Sequence, residues 1–263
     1  MSNILERIIA DKKLEVRQRM VETPVGNLEK SPYFKRVPLS LKESLIKKES
    51  SGIIAEFKRM SPSAGRIHKN ADPVDITRGY VNAGATAISV LTDGKYFAGT
   101  RDDLMRAREV NQCPILRKDF MIDEYQVLET KAIGADAILL IASILDNSSI
   151  RMLAEMAHSV GLEVLLEIHE ISELVCLNEW IDLVGVNNRN LKIMECDVET
   201  SISMAGMIPD EFMKISESGI HDPETINYLK KLGYKGFLIG EYFMKQEDPV
   251  KACRKFIEKI KHP

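Results

Sequence analysis

An acid and a base stand two positions apart at the end of a short apolar run, in the segment Ile54-Ala55-Glu56-Phe57-Lys58. Because side chains alternate across a β-strand, Glu56 and Lys58 project to one side while Phe57 projects to the other. A carboxylate and an amine on one face can give and take protons, as general acid–base catalysis requires. A hydrophobic core excludes such groups, whereas the carboxyl end of a parallel strand commonly carries them into an active site.

Polar side chains end four further apolar runs in the same way. They are Lys118, Glu167, Asn187, and Glu217 with Ser218. Lys118 lies two positions after Leu116, and Glu167 lies two positions after Leu165, so both continue apolar rows on one strand face. Taken singly, each is better explained as a solvated charge just past its strand. Five strands that end alike favour a shared polar pocket.

Two glycine turns, Ser218-Gly219-Ile220 and Ile239-Gly240-Glu241, follow the last two apolar runs. Glycine lets an oxyanion approach backbone amides without interference from a Cβ atom. Parallel barrels often bind phosphate at the loops after strands 7 and 8. The two turns therefore indicate a phosphorylated ligand, to which Lys58 and Ser61 could add donors.

Loop residues near these strand ends offer further contacts. Arg189 keeps the parity of Asn187, and a surface loop cation explains it as well as a substrate contact does. Phe97 and Phe120 could stack on an aromatic ring, although aromatic residues at loop bases more often serve packing. The segment 59–70 is long enough for a functional lid, with a disordered loop as the alternative.

Short runs rich in Ile, Val and Leu alternate with segments of helical periodicity from residue 52 onward. The predicted strands span residues 52–58, 86–91, 114–119, 135–141, 163–168, 182–187, 213–217 and 236–240, and the predicted helices span 75–83, 102–110, 124–133, 149–160, 171–177, 200–207, 223–232 and 249–260. Strict alternation implies right-handed crossovers, and eight such units in about 210 residues predict an α/β fold, the closed (β/α)8 TIM barrel. A doubly wound open sheet is the structural rival, but the Gly-x-Gly-x-x-Gly turn typical of it does not follow Lys58.

Residues 1–48 precede the first strand and have the pattern of a helical N-terminal extension, too small for an independent domain. Ile4, Leu5, Ile8 and Ile9 share one helical face. The extension either closes the lower end of the barrel or leans over its mouth to help bind substrate. We predict one domain overall, in which residues 49–263 form the barrel and residues 1–48 pack on it.

Composition narrows the classes of partner. The 263 residues include 36 Lys plus Arg and 39 Asp plus Glu, spread throughout, so no basic stripe indicates a nucleic-acid partner. No apolar run reaches the length of a signal peptide or a membrane span. The four cysteines form no Cys-x-x-Cys pair and the five histidines show no ligand spacing, which disfavours disulfides and a metal site. We predict a cytoplasmic protein, monomeric or weakly homo-oligomeric.

Six ordered motifs together resemble one known family. They are Ile-Ala-Glu-Phe-Lys-Arg-x-Ser-Pro-Ser at 54–63, Leu-Thr-Asp-x-Lys-Tyr-Phe-x-Gly at 91–99, Leu-Arg-Lys-Asp-Phe at 116–120, Leu-Leu-Glu-Ile-His at 165–169, Gly-Val-Asn-Asn-Arg at 185–189 and Ser-Glu-Ser-Gly-Ile at 216–220. The set is similar to indole-3-glycerol phosphate synthase, and the resemblance covers nearly the whole chain. It implies a tryptophan-pathway (β/α)8 enzyme that closes the indole ring of 1-(2-carboxyphenylamino)-1-deoxyribulose 5-phosphate and releases carbon dioxide and water, without cofactor or metal.

The resemblance also implies roles for individual residues. Lys118 would be the general acid that protonates the substrate ketone, and Glu167 would serve in later proton transfers, with Lys58 as its partner acid or as the ligand of the substrate carboxylate. The remaining catalytic residues would be Glu56, Asn187, Glu217 and Ser218. Phosphate would rest on Ser61, Lys58, Gly219, Gly240 and the backbone of Glu241, and the anthranilate ring would lie against Phe97, Phe120 and Leu139. Arg189 is a further substrate-contact candidate.

Two positions depart from the family pattern, namely Asn190, where the family often has Asp, and Tyr242-Phe243, where smaller residues are more usual. The second places bulk beside the predicted phosphate cradle and puts the Glu241 contact in doubt. Because Lys58 and Lys118 are expected to share one mouth, we also hypothesise a lysine pKa lowered towards about 7–8. The alternatives are another phosphosugar barrel enzyme, such as a phosphoribosylanthranilate isomerase, and a catalytically silent ligand-binding barrel.

Overall fold

Eight parallel strands close into a barrel in which each strand pairs with its neighbours in chain order and the last pairs with the first. The computed structural model of the chain describes residues 4–190 and 195–261. In chain order, the barrel strands are β1 (Ile53–Phe57), β2 (Ala87–Leu91), β3 (Ile115–Lys118), β4 (Ala137–Ile141), β5 (Glu163–Ile168), β6 (Leu183–Asn187), β7 (Met213–Glu217) and β8 (Tyr234–Ile239). Each predicted strand overlaps one of these, and the predicted (β/α)8 fold class is confirmed.

The strands are buried on both faces, as parallel strands covered by helices must be. One set of side chains, including Leu116, Leu165 and Leu183, fills the barrel interior. The alternate set, including Ile115, Leu166 and Val184, packs outward against the helices. The near-continuous apolar runs of the sequence follow from this double burial, and the polar residues that interrupt the inward rows therefore need a local reason.

α-Helices precede, connect and follow the strands. They are α1 (Ile4–Glu22), α2 (Val25–Leu28), α3 (Leu41–Ile46), α4 (Pro73–Asn82), α5 (Gly94–Phe97), α6 (Arg101–Val110), α7 (Glu124–Ala132), α8 (Asn147–Ser159), α9 (Glu199–Met204), α10 (Pro223–Lys231), α11 (Glu241–Met244) and α12 (Pro249–Lys261). The side chains of Asp72 and Asp222 cap α4 and α10, each before a proline in the first turn. In the two described ranges, no helix is long and apolar enough to cross a bilayer.

Several short elements differ from the sequence prediction. The segment predicted as a helix over 171–177 is a 3₁₀ helix, Ile171–Cys176. Its tighter winding spans the short interval between β5 and β6 with few residues. The short helices α5 and α11, in the loops after β2 and β8, were missed because four residues give no periodic pattern.

The amino-terminal helices contact both ends of the barrel. Leu41 and Leu45 of α3 pack among the interior side chains at the amino ends of the strands. Ile4, Leu5 and Ile8 of α1 border a cavity at the carboxyl ends. Of the two placements that the sequence left open for this segment, α3 therefore takes the lower end of the barrel and α1 takes the mouth.

A buried ion network ties α1 to the strands. Lys12 is 1% exposed, and its Nζ lies 2.7 Å from Asp93 Oδ2 and 2.9 Å from Asp119 Oδ1. Asp119 also forms an ion pair with Arg117, and Arg117 forms a second ion pair with Glu129 at 2.7 Å. Burial alone would lower the pKa of Lys12, but Asp119 and Asp93 outweigh it and raise that pKa. Lys12 is therefore charged and holds α1 against the residue that follows Lys118.

Replacing Lys12 with Met should lower the free energy of unfolding by about 3–5 kcal/mol, because two buried carboxylates lose their partner. Urea unfolding measures the change. Lys13, the exposed neighbour on α1, is the matched control, and Lys13→Met should stay within about 0.5 kcal/mol of the parent. Equal stability of the two variants would contradict the network's importance.

Candidate active site

A cavity of about 470 Å³ opens at the carboxyl ends of the strands. Every site residue predicted from the sequence borders it, from Glu56 on β1 to Glu241 after β8. The prediction that distant polar residues meet at one place thus agrees with the geometry, while the role of each residue is a separate question. Among the described residues, no group of three or more His, Cys, Asp or Glu side chains is arranged to hold a metal ion.

Lys118 lies between two carboxylates from other strands. Its Nζ donates to Glu167 Oε2 at 2.6 Å and to Glu217 Oε2 at 2.7 Å. The three side chains come from β3, β5 and β7, and alternate strands of a barrel contribute to the same interior layer. The Lys118 side chain is 13% exposed and the two carboxylates are 5% and 1% exposed, so water screens the group weakly.

The electrostatics of this trio overturn the hypothesis of a lowered lysine pKa for Lys118. Burial by itself would lower the pKa of Lys118, but Glu167 and Glu217 outweigh burial and raise that pKa. Lys118 in turn outweighs burial at Glu167 and lowers the pKa of that carboxyl. Burial and the charge of Glu167 raise the pKa of Glu217 to about 7, against the pull of Lys118. The site therefore stores protons on Lys118 and, near neutral pH, partly on Glu217.

A second acid–base pair stands beside this trio. Lys58 Nζ lies 2.7 Å from Glu56 Oε1, and the two side chains are 12% and 5% exposed. Asn187 on β6 hydrogen-bonds to the carboxylate of Glu167 and, through its Oδ1, accepts the backbone N–H of Arg189 at 2.9 Å. The Lys58–Glu56 pair and the group of Lys118, Glu167 and Glu217 thus project into one cavity, as strand parity predicts.

Two glycines make room for these interior charges. A Cβ atom at Gly185 would lie 2.1 Å from Glu217 Oε1, and one at Gly240 would lie 2.3 Å from Glu56 Oε1. At either position, a side chain would force the carboxylate to move. Gly240 was predicted for phosphate contact, and the structure adds that its bare Cα admits a carboxylate from the neighbouring strand β1.

The backbone after β7 has an unusual conformation. Ser218 and Gly219 have φ values of 67° and 72°, in the left-handed region that a serine seldom adopts. Asn188, which is buried, donates from Nδ2 to the Ser218 carbonyl at 3.0 Å and stabilises the turn. Such consecutive left-handed residues change the direction of backbone N–H groups, and local strain of this kind is found at ligand sites.

Cations surround the carboxylate of Glu241 at the start of α11. Arg189 Nη2 lies 3.1 Å from Glu241 Oε2, and Lys245 Nζ lies 2.6 Å from Glu241 Oε1. The ring of Tyr242 packs on Phe243 and Phe256 with centroids 5.7 and 5.5 Å away. The bulky Tyr242 ring beside the predicted phosphate site is therefore partly buried in aromatic packing. The charge of Glu241 is neutralised by its two ion pairs.

An apolar wall faces the charged groups. The rings of Phe97 and Phe120 contact each other with centroids 6.2 Å apart, and both border the cavity with Leu139. The two phenylalanines pack on each other and also border the cavity, so packing and substrate stacking are both compatible with their positions. Leu5 and Ile8 of α1 complete this side.

The loop 59–70 is partly ordered by its own contacts. A short antiparallel hairpin, with two residues in each strand, pairs Met60–Ser61 with Gly65–Arg66. Arg59 makes two 2.7 Å bonds to the carboxylate of Asp103 and anchors the base of the loop. Ser61 Oγ accepts the backbone N–H of Ala64 at 3.1 Å, so its hydroxyl lies at the turn that faces the cavity.

Sequence reasoning missed several residues of this region. The apolar face of α1 was visible, but its period does not say which end of the barrel it covers. Asn188 has the opposite strand parity to Asn187, so strand parity gives no signal for it. Lys245 stands four residues after Glu241, a helical spacing that could have suggested the pair. His169 follows β5 directly and was taken only as part of a motif.

Comparisons with known proteins agree on one family. A family model described as indole-3-glycerol phosphate synthase matches residues 5–256. The chain is 46% identical over 260 residues to the indole-3-glycerol phosphate synthase of Bacteroides thetaiotaomicron, covering 99% of this chain and 100% of that protein. It is 42% identical over 253 residues to the protein of the same name from Burkholderia vietnamiensis, covering 95% of this chain and 97% of that protein.

Solved structures of distant sequence share the fold. A thiamine phosphate pyrophosphorylase from Pyrococcus furiosus superimposes with a TM-score of 0.59 at 17% identity, over 84% of this chain and 99% of that one. A 3-hexulose-6-phosphate synthase from Salmonella typhimurium gives a TM-score of 0.62 at 14% identity, over 80% and 98%. At this level of identity the likeness concerns the fold alone.

Replacing Gly185 with Ala should destabilise the protein by about 1–3 kcal/mol, because the new methyl group overlaps Glu217. Urea unfolding tests this. Gly206→Ala is the matched control, since a Cβ atom there meets no atom within 4 Å, and it should leave stability unchanged or slightly raised. A Gly185→Ala variant as stable as the control would contradict the close packing of this carboxylate.

Glu217 should make stability depend on pH with a definite sign. Its folded pKa of about 7 lies above the ordinary glutamate value of 4.5, so between these values the folded chain holds the extra proton. Stability is therefore lost as pH rises from about 5 to 7. Urea unfolding at several pH values should show this loss in the parent and a smaller one in Glu217→Gln. Parallel pH profiles would refute the shift.

Proposed function

Because the chain belongs to the indole-3-glycerol phosphate synthase family, we propose that the cavity above the barrel strands is where its reaction takes place. The enzyme is a carboxy-lyase of tryptophan biosynthesis that acts on a small phosphorylated substrate. It converts 1-(2-carboxyphenylamino)-1-deoxyribulose 5-phosphate into indole-3-glycerol phosphate, carbon dioxide and water. The observation that carries the proposed site is the placement of Lys118 between Glu167 and Glu217, beside the Lys58–Glu56 pair.

Lys118 is the general acid of ring closure in this proposal. As the ring carbon attacks the ketone, the ketone oxygen becomes an alkoxide, which is a stronger base than the amine. The raised pKa of Lys118 keeps its proton in place until that base forms nearby. Its positive charge also stabilises the developing oxyanion in a poorly screened cavity.

Glu167 and Lys58 act after ring closure. Loss of carbon dioxide needs a cation near the carboxylate, and loss of water needs an acid at the leaving hydroxyl and a base at the carbon that loses a proton. Glu167 has a lowered pKa and is therefore ionised, which is the form that a base requires. Lys58 suits either the carboxylate ligand or the second acid. Glu56 orients Lys58, and Glu217 helps to orient Lys118.

The loops after β1, β7 and β8 border a part of the cavity that would bind the phosphate. Ser61, Gly219, Gly240 and the backbone of Glu241 border it, with Lys58 and Arg189 as cations. The left-handed turn at Ser218 and Gly219 supports amide donation to a phosphate. Phe97, Phe120 and Leu139 form the apolar side that suits the anthranilate ring.

We also propose that residues 1–48 and 49–263 form one domain, in the cytoplasm, as a monomer or weak homo-oligomer. The contacts of α1 and α3 with the two ends of the barrel support a single folding unit. The buried Lys12 network supports it further, since it joins the extension to β3. Four free cysteines suit a reducing compartment.

Replacing Lys118 with Met should lower kcat by at least about a hundredfold, because the acid of the first step is lost. Binding of the substrate should remain measurable by calorimetry, since phosphate and ring contacts are retained. Turnover is followed by indole absorbance with the carboxyphenylamino-deoxyribulose phosphate. Lys255→Met, at an exposed lysine of α12, is the control and should turn over normally. Near-normal turnover by Lys118→Met would refute the assignment.

A further inference from the structure

The proposed reaction consumes one proton in each turnover. The substrate carries a carboxylate and a phosphate dianion, whereas the product carries only the phosphate, and carbon dioxide and water leave uncharged. Charge balance therefore requires one proton from solvent. Ring closure and dehydration each take a proton from an acid, and indole formation returns one to a base, which gives the same deficit. The buried acids must be reloaded before the next turnover.

His169 stands behind Glu167, outside the set of residues that border the cavity. Its side chain is 9% exposed. Both ring nitrogens are buried and form no hydrogen bond with any residue of the described ranges. A buried imidazole normally satisfies at least one nitrogen, so a position with both nitrogens unsatisfied calls for a functional reason.

The two nitrogens face two carboxylates. His169 Nε2 lies 3.4 Å from Glu167 Oε1, and Nδ1 lies 3.9 Å from Glu173 Oε2. The side chain of Glu173 is 16% exposed, more than those of Glu167 and His169. The three groups thus form a row from the cavity wall towards solvent. Both gaps exceed the usual hydrogen-bond length, and long contacts of this kind in ligand-free sites commonly tighten when substrate binds.

Besides its hydrogen bond with Asn187, Glu167 has a different partner at each of its two oxygens. Oε2 accepts from Lys118 at 2.6 Å, while Oε1 faces His169 at 3.4 Å. A proton received on Oε1 can reach Lys118 once the carboxyl group rotates about its Cγ–Cδ bond. Glu167 is therefore placed to pass a proton from the histidine side to the lysine side without moving its backbone.

We propose that His169 relays a proton from Glu173 to Glu167 and so reloads the acids of the site after each turnover. The ring accepts a proton at Nδ1 from the Glu173 carboxyl and releases the proton on Nε2 to Glu167 Oε1. Rotation of the Glu167 carboxyl about its Cγ–Cδ bond then carries this proton to Lys118 Nζ. This proton and the one that Glu167 takes up in indole formation together replace the two that the acids gave, and a flip of the ring resets the tautomer. Solvent supplies the proton to Glu173. This inference rests on the proposed roles of Lys118 and Glu167.

The test is a stopped-flow comparison of first and later turnovers with the carboxyphenylamino-deoxyribulose phosphate. In His169→Gln, the first turnover draws on protons already held and should stay within about threefold of the parent, while later turnovers slow by about tenfold or more. His169→Gln should therefore show a burst of one equivalent of product per enzyme, followed by a slow phase. Added imidazole should speed the slow phase of the variant and leave the parent unchanged. The Kd of the substrate and kcat/KM should not change, because His169 does not border the cavity and reloading follows the chemistry, whereas KM should fall together with kcat.

The control is His158→Gln, since His158 pairs with Asp182 on the outer side of the barrel. It should match the parent in both phases. If His169→Gln does not fold, Glu173→Gln replaces it, because an amide oxygen still accepts the backbone N–H groups of His169 and Glu170 but carries no acidic proton. Glu173→Gln should show the same imidazole-dependent slow phase.

Equal slowing of first and later turnovers in His169→Gln would mean a structural role and would overturn the relay. Parent-like rates in all turnovers, or a slow phase that imidazole does not change, would overturn it as well. Failure of the proposed function looks different. In that case the parent itself makes no indole product, or Lys118→Met retains turnover, whatever the behaviour of the His169 variants.

Discussion

The charge on Lys118, held by two carboxylates inside the barrel, is the interaction on which the rest of the site depends. Removing an ammonium group from water is costly unless partners of opposite charge replace the water. Glu167 and Glu217 do so from two other strands, which makes the charge balance of the site a property of the closed barrel. The same arrangement separates the two carboxyl pKa values, so Glu167 is ionised while Glu217 is partly protonated near neutral pH.

Charges inside a barrel also demand space and support. Glycine on a neighbouring strand leaves room for Glu217 and for Glu56. The outward face of β3 carries Arg117, whose partner Asp119 also binds Lys12 of the amino-terminal helix. The acid–base group, the apolar wall and the turn after β7 are consequently held by different elements around one cavity. A single helix over the mouth contributes to both the wall and the ion network.

Much of the fold and of the candidate site was predictable. Apolar runs ending in Lys118, Glu167 and Glu217 located the strands and their carboxyl ends, and strand parity put their side chains on the inner face. The pKa of Lys118 was predicted in the wrong direction, because the hypothesis rested on Lys58 and Lys118 sharing one mouth, whereas Glu167 and Glu217 outweigh burial at Lys118. The 3₁₀ helix after β5 and the short helix α11 were missed or misassigned, since so few residues carry no distinctive period.

The sequence by itself determined the barrel, the set of polar residues at its mouth and the family, because alternation, parity and motif order are local properties of the chain. Only the tertiary structure decided which charges pair, which end each amino-terminal helix covers, and that His169 lies between Glu167 and Glu173. Pairing depends on distances between residues far apart in the chain. Those distances exist only once the strands have closed and water has been excluded from the space between them.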